Sequence, residues 1–534
     1  MSNKYRLDNS SASQQGSASK LEYGNISEEL ENTIGPHDGL GPSGDKNNEI
    51  GVVSRLSNDS ELAADRLKLN KKVVMKIDLV ILPFLTCCVF LQILDKNSLS
   101  YAAIYDLRTD LNLQGQEYSW LATIFYISYL FMQFPVFFLL PKIKNLPGFM
   151  SLLLIGWGVL VMLLAACKNF AGFATLRFFL GVFEAALQPC CIILSSSWYT
   201  KREQPLRMAM WSNTFAGIFN GIFGYAFGHW NAKLHIWQYM FIVYGAVTIV
   251  FGLFTYLVVP KDIESAWFLN KKEKECAVAR IATNQTGIHI GVDRLEWSQM
   301  RESIFDAKYW LIIVFIIVQN FVNSGITNFN TFIIRGFGFS NFRTMLLATP
   351  QASVAMVVSL LAAAATYFIK NIRCVLICFT SAVTMTGIIM IWKISPETHR
   401  NACLAAVYIC GFFNTPYVLA LSLFSSNTSG ATKKAFTSFS VGVFYALGNL
   451  IGPQFFLNSE SPTYQTGIKA MLAACVIMIF CAAMYAFLCT LENRKRDGEH
   501  LEDPQNVITA IEIGEEVDRQ NLTDVQNRHF RYTI

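Results

Sequence analysis

Two pairs of ionisable residues lie in stretches of this chain that are otherwise apolar. Asp95 and Lys96 close the first apolar stretch, and Arg177 and Glu184 lie within the fourth. Charge is costly inside a membrane, so such side chains usually pair with one another or line a functional pathway. An arginine can hold a carboxylate through two parallel hydrogen bonds, and burial favours the protonated form of a carboxyl group. These residue types therefore predict a site that binds an anion and a proton together.

Arg177 and Glu184 are separated by a spacing that suits a shared site. Seven steps of about 100° amount to about 700°, so both side chains lie on one helix face, about 10 Å apart along the axis. We expect Arg177 to hold a substrate carboxylate. We expect Glu184 to carry the proton, because its own helix has no cation nearer to it than Arg177 and no histidine lies within an apolar run. Asp95 is the next candidate proton carrier. One alternative stays open, in which Arg177 pairs permanently with Asp95 and only joins two helices.

Six further polar residues are candidates for substrate contact because helical spacing allows them to face a central cavity. They occur in pairs on the fifth, seventh and tenth apolar stretches: Asn213 and Asn220, Asn320 and Asn323, Asn414 and Tyr417. The fifth stretch also carries Gly217, Gly221 and Gly224, and small residues at such spacing permit close approach of another helix.

The elements that must position these residues are membrane-spanning helices. Of the 534 residues, 53% are hydrophobic and only 15% are charged, whereas a soluble chain carries about 25% charged residues. A bilayer-spanning helix needs roughly 20 apolar residues, and the chain supplies twelve such runs. They lie at about 76–95, 118–140, 149–167, 171–196, 208–228, 237–259, 309–333, 344–369, 374–392, 402–424, 435–457 and 467–490. The sequence thus excludes a soluble enzyme and predicts an all-α membrane protein of two six-helix bundles.

The charge distribution predicts the domain organisation and the orientation. We expect a disordered tail at 1–72, a first bundle at 73–259, a cytosolic loop at 260–308, a second bundle at 309–490 and a tail at 491–534. With both termini in the cytosol, about 25 Lys and Arg residues fall on the inner side and about nine on the outer side. That bias is the usual one for membrane proteins.

Several other classes of protein are disfavoured. No G-x4-G-K-[ST] phosphate loop occurs, which argues against a primary pump. The intramembrane charges form one asymmetric group rather than a ring, which argues against a channel. The thirteen cysteines lie mostly in apolar runs and include no paired CxxC motifs, so we expect neither a metal nor a cofactor. The expected partners are a small carboxylate, protons and the lipid bilayer, without nucleic acid, and we expect a monomer.

The motif Arg177-x3-Gly181-x2-Glu184, followed by Pro189, resembles the fourth-helix signature of the anion:cation symporter branch of the major facilitator superfamily. Four further stretches resemble that branch at the expected places: Leu94–Asn97, Pro260–Arg280, Asn427–Lys434 and Glu492–Asp497. The resemblance extends over about 70–495, and within the branch the chain is most similar to the fungal allantoate permease family. It departs from the usual pattern in its short loop 141–148 and in having Asp-Lys at 95–96 where Asp-Arg is usual.

The resemblance implies proton-coupled import of a small carboxylate across the plasma membrane, by alternating access of two rigid halves. Nicotinic acid is the substrate that it favours first. Biotin, pantothenate and allantoate remain as alternatives, and a different class of protein, a transporter-like nutrient receptor without flux, also remains open.

Overall fold

In the computed structural model, all the regular secondary structure of the described residues is helical. It describes residues 46–200, 203, 207–208, 210–211, 216–229, 233–282, 296–461, 463–501 and 521–534. The chain divides into two compact units, Met1–Lys68 and Leu69–Ile534, and all contacts discussed below lie within the second.

Among the described residues, eight helices precede the central connection: α1 Lys46–Ile104, α2 Leu107–Asp110, α3 Glu117–Leu139, α4 Leu146–Leu164, α5 Phe170–Glu184, α6 Leu187–Trp198, α7 Ala216–Gly228 and α8 Ile236–Val258. The connection holds two short helices, α9 Lys271–Ala282 and α10 Trp297–Phe305. Seven helices follow: α11 Ala307–Gly336, α12 Asn341–Phe368, α13 Arg373–Lys393, α14 Arg400–Ile409, α15 Asn414–Asn427, α16 Ala431–Ile451 and α17 Gln465–Leu501.

Eleven helical segments of the described chain are long and apolar enough to cross a membrane, and they coincide with eleven of the twelve predicted runs. The remaining run, 208–228, contains α7 with 13 described residues, and residues 212–215 before it lie outside the described part. The predicted all-α membrane fold is therefore confirmed. Helix α1 begins at Lys46 rather than near residue 73, within the segment expected to be disordered, because residues 61–69 are rich in Leu, Ala, Lys and Glu, which are good helix formers.

Two of the spanning segments are interrupted near their middle. The segment Phe170–Trp198 breaks between Glu184 and Leu187, just before Pro189, which has no N–H to continue the helical hydrogen bonds. The segment Arg400–Asn427 is broken by a 3-10 turn at Cys410–Phe413, before Pro416. Interrupted helices recur at the binding sites of transporters, and the first interruption follows directly after Glu184.

The described helices form two bundles that contact each other. In the amino-terminal bundle (α1–α8), α4 packs on α8 and α3 on α5; in the carboxy-terminal bundle (α11–α17), α13 and α11 both pack on α17. Between the bundles, α7 packs on α12 and α3 on α16. The α7–α12 contact is as close as its glycines predicted, because a β-carbon at Gly221 would lie 2.7 Å from the backbone oxygen of Met345.

Residues 521–534, which we name the tail segment, pack on the carboxy-terminal bundle. Within it, Thr523, Asp524 and Tyr532 are buried. Its neighbours are α10, the turns before α13 and α16, and the last part of α17. The expected tail 491–534 therefore contains a folded portion that the sequence did not predict.

Candidate functional site

The four intramembrane charges converge from two helices of the amino-terminal bundle. Asp95 and Lys96 come from α1, and Arg177 and Glu184 from α5. Helix α5 lies close to α3 at Gly181, where a β-carbon would collide with Ser128 and with the backbone oxygen of Phe125. Glycine at this position therefore allows both cations to approach the aromatic side chains of α3.

Glu184 lies against a lysine rather than alone. Its Oε1 is 3.2 Å from Lys96 Nζ, and Glu184 is 0% exposed. Neither carboxylate oxygen accepts a hydrogen bond from the described residues, so the contact is ionic. The expectation that Glu184 lacks a compensating cation is not met, because the cation comes from another helix and not from α5.

Arg177 is a buried cation that has no carboxylate partner among the described residues. It is 4% exposed, its Nε makes no hydrogen bond, and no carboxylate oxygen of a described residue lies within 4.0 Å of its nitrogens. Asp95 instead accepts a hydrogen bond from Trp157 Nε1 at 3.2 Å. The permanent Arg177–Asp95 pair of the alternative interpretation is thus not formed in the structure.

One aromatic ring is shared by both cations. The centroid of Phe125 is 5.6 Å from Lys96 Nζ and 5.7 Å from Arg177 Cζ. Tyr126 and Tyr445 also lie within 5.8 Å of Lys96 Nζ. Cations at this distance are attracted to the ring faces. The charges are therefore surrounded by flat aromatic groups, and Tyr445 belongs to the carboxy-terminal bundle.

The tenth-run candidates lie next to this group. The Tyr417 ring is 6.0 Å from the Tyr445 ring, so Tyr417 extends the aromatic wall. The amide of Asn414 donates weakly to Ser359 Oγ at 3.5 Å and is half-buried. The structure thus brings Tyr417 towards the charges and leaves Asn414 one turn away from it.

The fifth-run candidates are divided. Asn213 lies outside the described residues. Asn220 is completely buried, its amide points to the backbone oxygen of Ile93 at 3.5 Å, and its Oδ1 accepts from Tyr244 at 3.4 Å. Asn220 therefore joins α1, α7 and α8, and its polar atoms are already in use.

The seventh-run candidates form a small amide network. Asn449 of α16 donates to Asn320 Oδ1 at 3.1 Å and accepts from Asn323 Nδ2 at 2.9 Å. Asn320 also donates to the backbone oxygen of Ile316 at 2.8 Å. Asn323 is half-buried, whereas Asn320 and Asn449 are buried. The network joins α11 to α16, and Asn323 is its member nearest to solvent.

Sequence reasoning missed three residues of this region. Lys96 carried a usable signal, because it is itself an intramembrane charge beside a candidate. Tyr445 and Asn449 had none, since 13% of the residues are aromatic and an isolated asparagine in an apolar run is not distinctive.

Contacts join the two bundles at the end of the molecule where α1 ends and α3 begins. Arg108 donates to Asn458 Oδ1, and its Cζ lies 5.7 Å from the Tyr118 ring and 5.6 Å from the Phe332 ring. The hydroxyl of Tyr118 donates to the backbone oxygen of Asn328 at 3.0 Å. We name this set the Arg108 contact. It joins the two bundles at that end.

The chemistry that the arrangement offers is the binding of an anion and the exchange of a proton. Among the residues that the structure describes, no group of three or more His, Cys, Asp or Glu side chains could hold a metal ion. What it offers is a buried unpaired guanidinium, an ion pair and an aromatic wall.

Comparisons with known proteins show which family the chain belongs to. The sequence profile described as Major Facilitator Superfamily matches residues 85–453. An uncharacterized transporter of Schizosaccharomyces pombe is 34% identical over 91% of this chain and 94% of its own length. Two proteins of Saccharomyces cerevisiae are also similar: allantoate permease, 28% identical over 95% of this chain and 93% of its own, and the high-affinity nicotinic acid transporter, 27% identical over 92% and 90%.

A solved structure shares the fold. The D-xylose-proton symporter superposes with a TM-score of 0.55 at 12% identity, over 77% of this chain and 97% of that protein. The helical architecture, the matched profile and the relatives agree, and all describe transporters rather than enzymes. The chain belongs to the Major Facilitator Superfamily.

Proposed function

We propose that this transporter imports a small carboxylate together with a proton, and that nicotinic acid is its substrate. The observation that carries the proposal is the buried, unpartnered guanidinium of Arg177 beside the Lys96–Glu184 ion pair. A buried cation without a partner is costly, and an anionic ligand removes that cost. Arg177 is therefore the carboxylate-binding residue, with its two parallel N–H groups directed at the two oxygens.

Competition for Lys96 couples the proton to the anion. Lys96 Nζ lies 3.2 Å from Glu184 Oε1 and compensates its charge. A substrate carboxylate that enters beside Arg177 adds a second negative charge, which repels the first in a medium of low dielectric. Protonation of Glu184 removes that repulsion and leaves Lys96 to the substrate. Anion and proton therefore bind more tightly together than separately.

Proton coupling also solves the energetic problem of importing an anion. Net inward movement of one negative charge against a negative-inside potential costs about 2.3 kcal/mol per 100 mV. One proton that moves with the substrate cancels this charge and adds the pH gradient as a driving force. Asp95, which has one buried oxygen without a hydrogen bond, is the second group in the site that could hold a proton.

Transport proceeds by alternating access of the two bundles. We infer that both termini are cytosolic, that the end joined by the Arg108 contact is external, and that this contact closes the transporter to the outside. The domain boundaries expected from the sequence, with bundles at 73–259 and 309–490, serve as the two moving bodies. The plasma membrane is the proposed location, because a vitamin importer is useful where the external solution is met.

The choice of nicotinic acid combines two observations. Its flat ring suits the aromatic wall formed by Phe125, Tyr126 and Tyr445, on which rings stack favourably. A relative named as a nicotinic acid transporter is 27% identical. Allantoate is the first rival, since allantoate permease is 28% identical, and biotin and pantothenate follow. Asn323, Asn414 and Tyr417 are the proposed polar contacts at the edge of the site.

The test is uptake of radiolabelled nicotinic acid into cells that express the chain, with and without a protonophore. We expect uptake that the protonophore abolishes and that unlabelled nicotinic acid competes better than allantoate, biotin or pantothenate. If a rival acid competed better, that acid would be the substrate in place of nicotinic acid, and the proposed mechanism would stand. Specific binding with no uptake would indicate a receptor without flux, and uptake insensitive to the protonophore would overturn the coupling.

A further inference from the structure

The tail segment is held by side chains that form hydrogen bonds with its backbone. Asn427 donates from Nδ2 to the backbone oxygen of Thr533 at 2.8 Å and accepts the Thr533 backbone N–H at 2.8 Å. Asn493 likewise donates from Nδ2 to the backbone oxygen of Tyr532 at 2.8 Å and accepts the Tyr532 backbone N–H at 2.9 Å. Two asparagines from different helices thus each satisfy both backbone groups of one residue. Such paired contacts are typical of peptide recognition, where main-chain hydrogen bonds supply the affinity.

A buried ionic group anchors the other half of the segment. Asp524 is 1% exposed, lies 2.8 Å from Lys433 Nζ, and accepts a hydrogen bond from the Tyr532 hydroxyl at 2.7 Å. Burial raises the pKa of the Tyr532 phenol, which keeps it neutral and able to donate. Lys433 also pairs with Glu302 of α10 at 2.7 Å. One buried lysine therefore joins the tail segment to the central connection.

Helix α10 depends on the same segment for two more contacts. Gln299 Nε2 donates to the backbone oxygen of Asn521 at 3.0 Å, and Thr523 Oγ1 donates to Glu302 Oε2 at 2.9 Å. Gly430, with φ of +90°, lets the chain before α16 pass beside Gln299 and Thr523. Glycine adopts this conformation without strain. Helix α10 and the tail segment therefore share one set of partners.

We propose that Asn427, Lys433, Asn493 and Arg496 form a peptide-binding site whose ligand is the chain's own residues 521–534, and that the occupied site holds α10 against the carboxy-terminal bundle. Specificity comes from an acidic residue that reaches Lys433 and from a tyrosine eight positions later. Arg496 completes the site by donating to the backbone oxygens of Asn527 and Phe530. This site is separate from the proposed substrate site and does not depend on its substrate.

The segment also presents a matched control. Val525, next to Asp524, is 46% exposed. The Asp524→Ala variant removes the ionic anchor and the acceptor of the tyrosine hydroxyl, whereas Val525→Ala shortens a side chain that points to solvent. An effect that comes from any substitution in the segment should appear in both variants, whereas an effect of losing the ionic anchor should appear only in Asp524→Ala.

Hydrogen–deuterium exchange of the full-length chain in detergent tests the proposal. In Asp524→Ala, we expect the amides of 297–305 and of 521–534 to exchange about tenfold faster than in the parent, which corresponds to about 1.4 kcal/mol. Helices α4 and α8 report on global unfolding and should not change. Val525→Ala should exchange like the parent.

A second measurement tests binding directly. A protease site placed between 505 and 515 of the full-length chain allows the tail to be cut without removing it. We expect the cut tail to remain bound through size-exclusion chromatography in the parent and in Val525→Ala, and to separate in Asp524→Ala. Separation in the parent, or faster exchange in 521–534 with no change in 297–305, would overturn the proposal.

Discussion

Replacement of Glu184 by glutamine tests the coupling mechanism most directly. The substitution keeps the shape of the side chain and removes its charge, as protonation does. In the structure, Lys96 Nζ lies 3.2 Å from Glu184 and has no second carboxylate of a described residue within 4.0 Å. Breaking a buried ion pair by removing one partner costs about 3–5 kcal/mol. A substrate anion can supply the missing negative charge, so Glu184→Gln should bind substrate at least as tightly as the parent.

The effect on accumulation is opposite and large. With one proton per anion, a gradient of one pH unit supports about tenfold accumulation, because a tenfold ratio corresponds to about 1.4 kcal/mol. Without the proton, a potential of 100 mV excludes the anion by about 2.3 kcal/mol, or roughly 50-fold. The ratio of internal to external substrate should therefore fall by about 500-fold in the Glu184→Gln variant.

The assay is steady-state uptake into proteoliposomes that hold one pH unit and 100 mV across the membrane. Exchange of internal for external substrate should persist in the variant, since it needs no net proton movement. Glu397→Gln, which makes the same change at an exposed carboxyl, should accumulate substrate like the parent. If Glu184→Gln still concentrates substrate with an unchanged dependence on external pH, the proton is carried elsewhere and Asp95 becomes the candidate.

Three further predictions concern other parts of the molecule. Arg177→Ala should lower substrate affinity by roughly 150-fold, because losing one partner of a buried charge pair costs about 3 kcal/mol. Substrate affinity should also fall steeply in Arg177→Lys. Direct binding measurements check this, and normal affinity in Arg177→Ala would mean that Arg177 has only a structural role. Arg108→Ala removes about 1 kcal/mol of contact between the bundles, so a membrane-impermeant reagent should label an Asn328→Cys reporter about fivefold faster, whereas unchanged labelling would exclude a closing role. The pKa of Glu273 is lowered to about 2, chiefly by the backbone N–H of Asn270 and by Lys76. Its stabilisation is therefore complete above its ordinary value of 4.5 and lost as pH falls towards 2. The difference in Tm between the parent and Glu273→Gln should shrink over that range, and a constant difference would contradict the assignment.

The number and approximate position of the membrane-spanning helices followed from local sequence. Length and apolarity alone decide whether a segment can cross a bilayer, so eleven of the twelve runs reappear as spanning segments among the described residues. The interruption after Glu184 was harder to foresee, because Pro189 lies within the predicted run 171–196 and has mostly apolar residues on both sides.

The partners of the charged residues did not follow from sequence. Helical periodicity places Arg177 and Glu184 on one face, but which side chain of α1 meets them depends on how α1 is rotated against α5. Adjacent residues on a helix point about 100° apart, so Asp95 and Lys96 could not both face Glu184. The structure turns Lys96 to Glu184 and Asp95 to Trp157.

The asparagine candidates show a second limit. A polar residue in an apolar run must find a hydrogen-bond partner, but the sequence does not say whether that partner is a substrate or another helix. Asn220 and Asn320 are satisfied by neighbouring helices, and Asn323 shares its amide with Asn449. The tail segment was missed for a related reason, since its contacts reach residues such as Asn427, about 100 positions away.

The glycine-lined contact between α7 and α12 is a close fit between the two bundles. Gly217 faces Ala352, and Gly221 faces Thr349 and the backbone of Met345, so the two helices approach each other closely at these positions. The contact has no room for a side chain at Gly221. Missense changes of Gly221 to even alanine should therefore abolish growth that depends on the transporter, although this residue carries no charge and contacts none of the ionisable groups. In a genetic screen for loss of uptake, such alleles would appear as frequently as changes in the binding site itself.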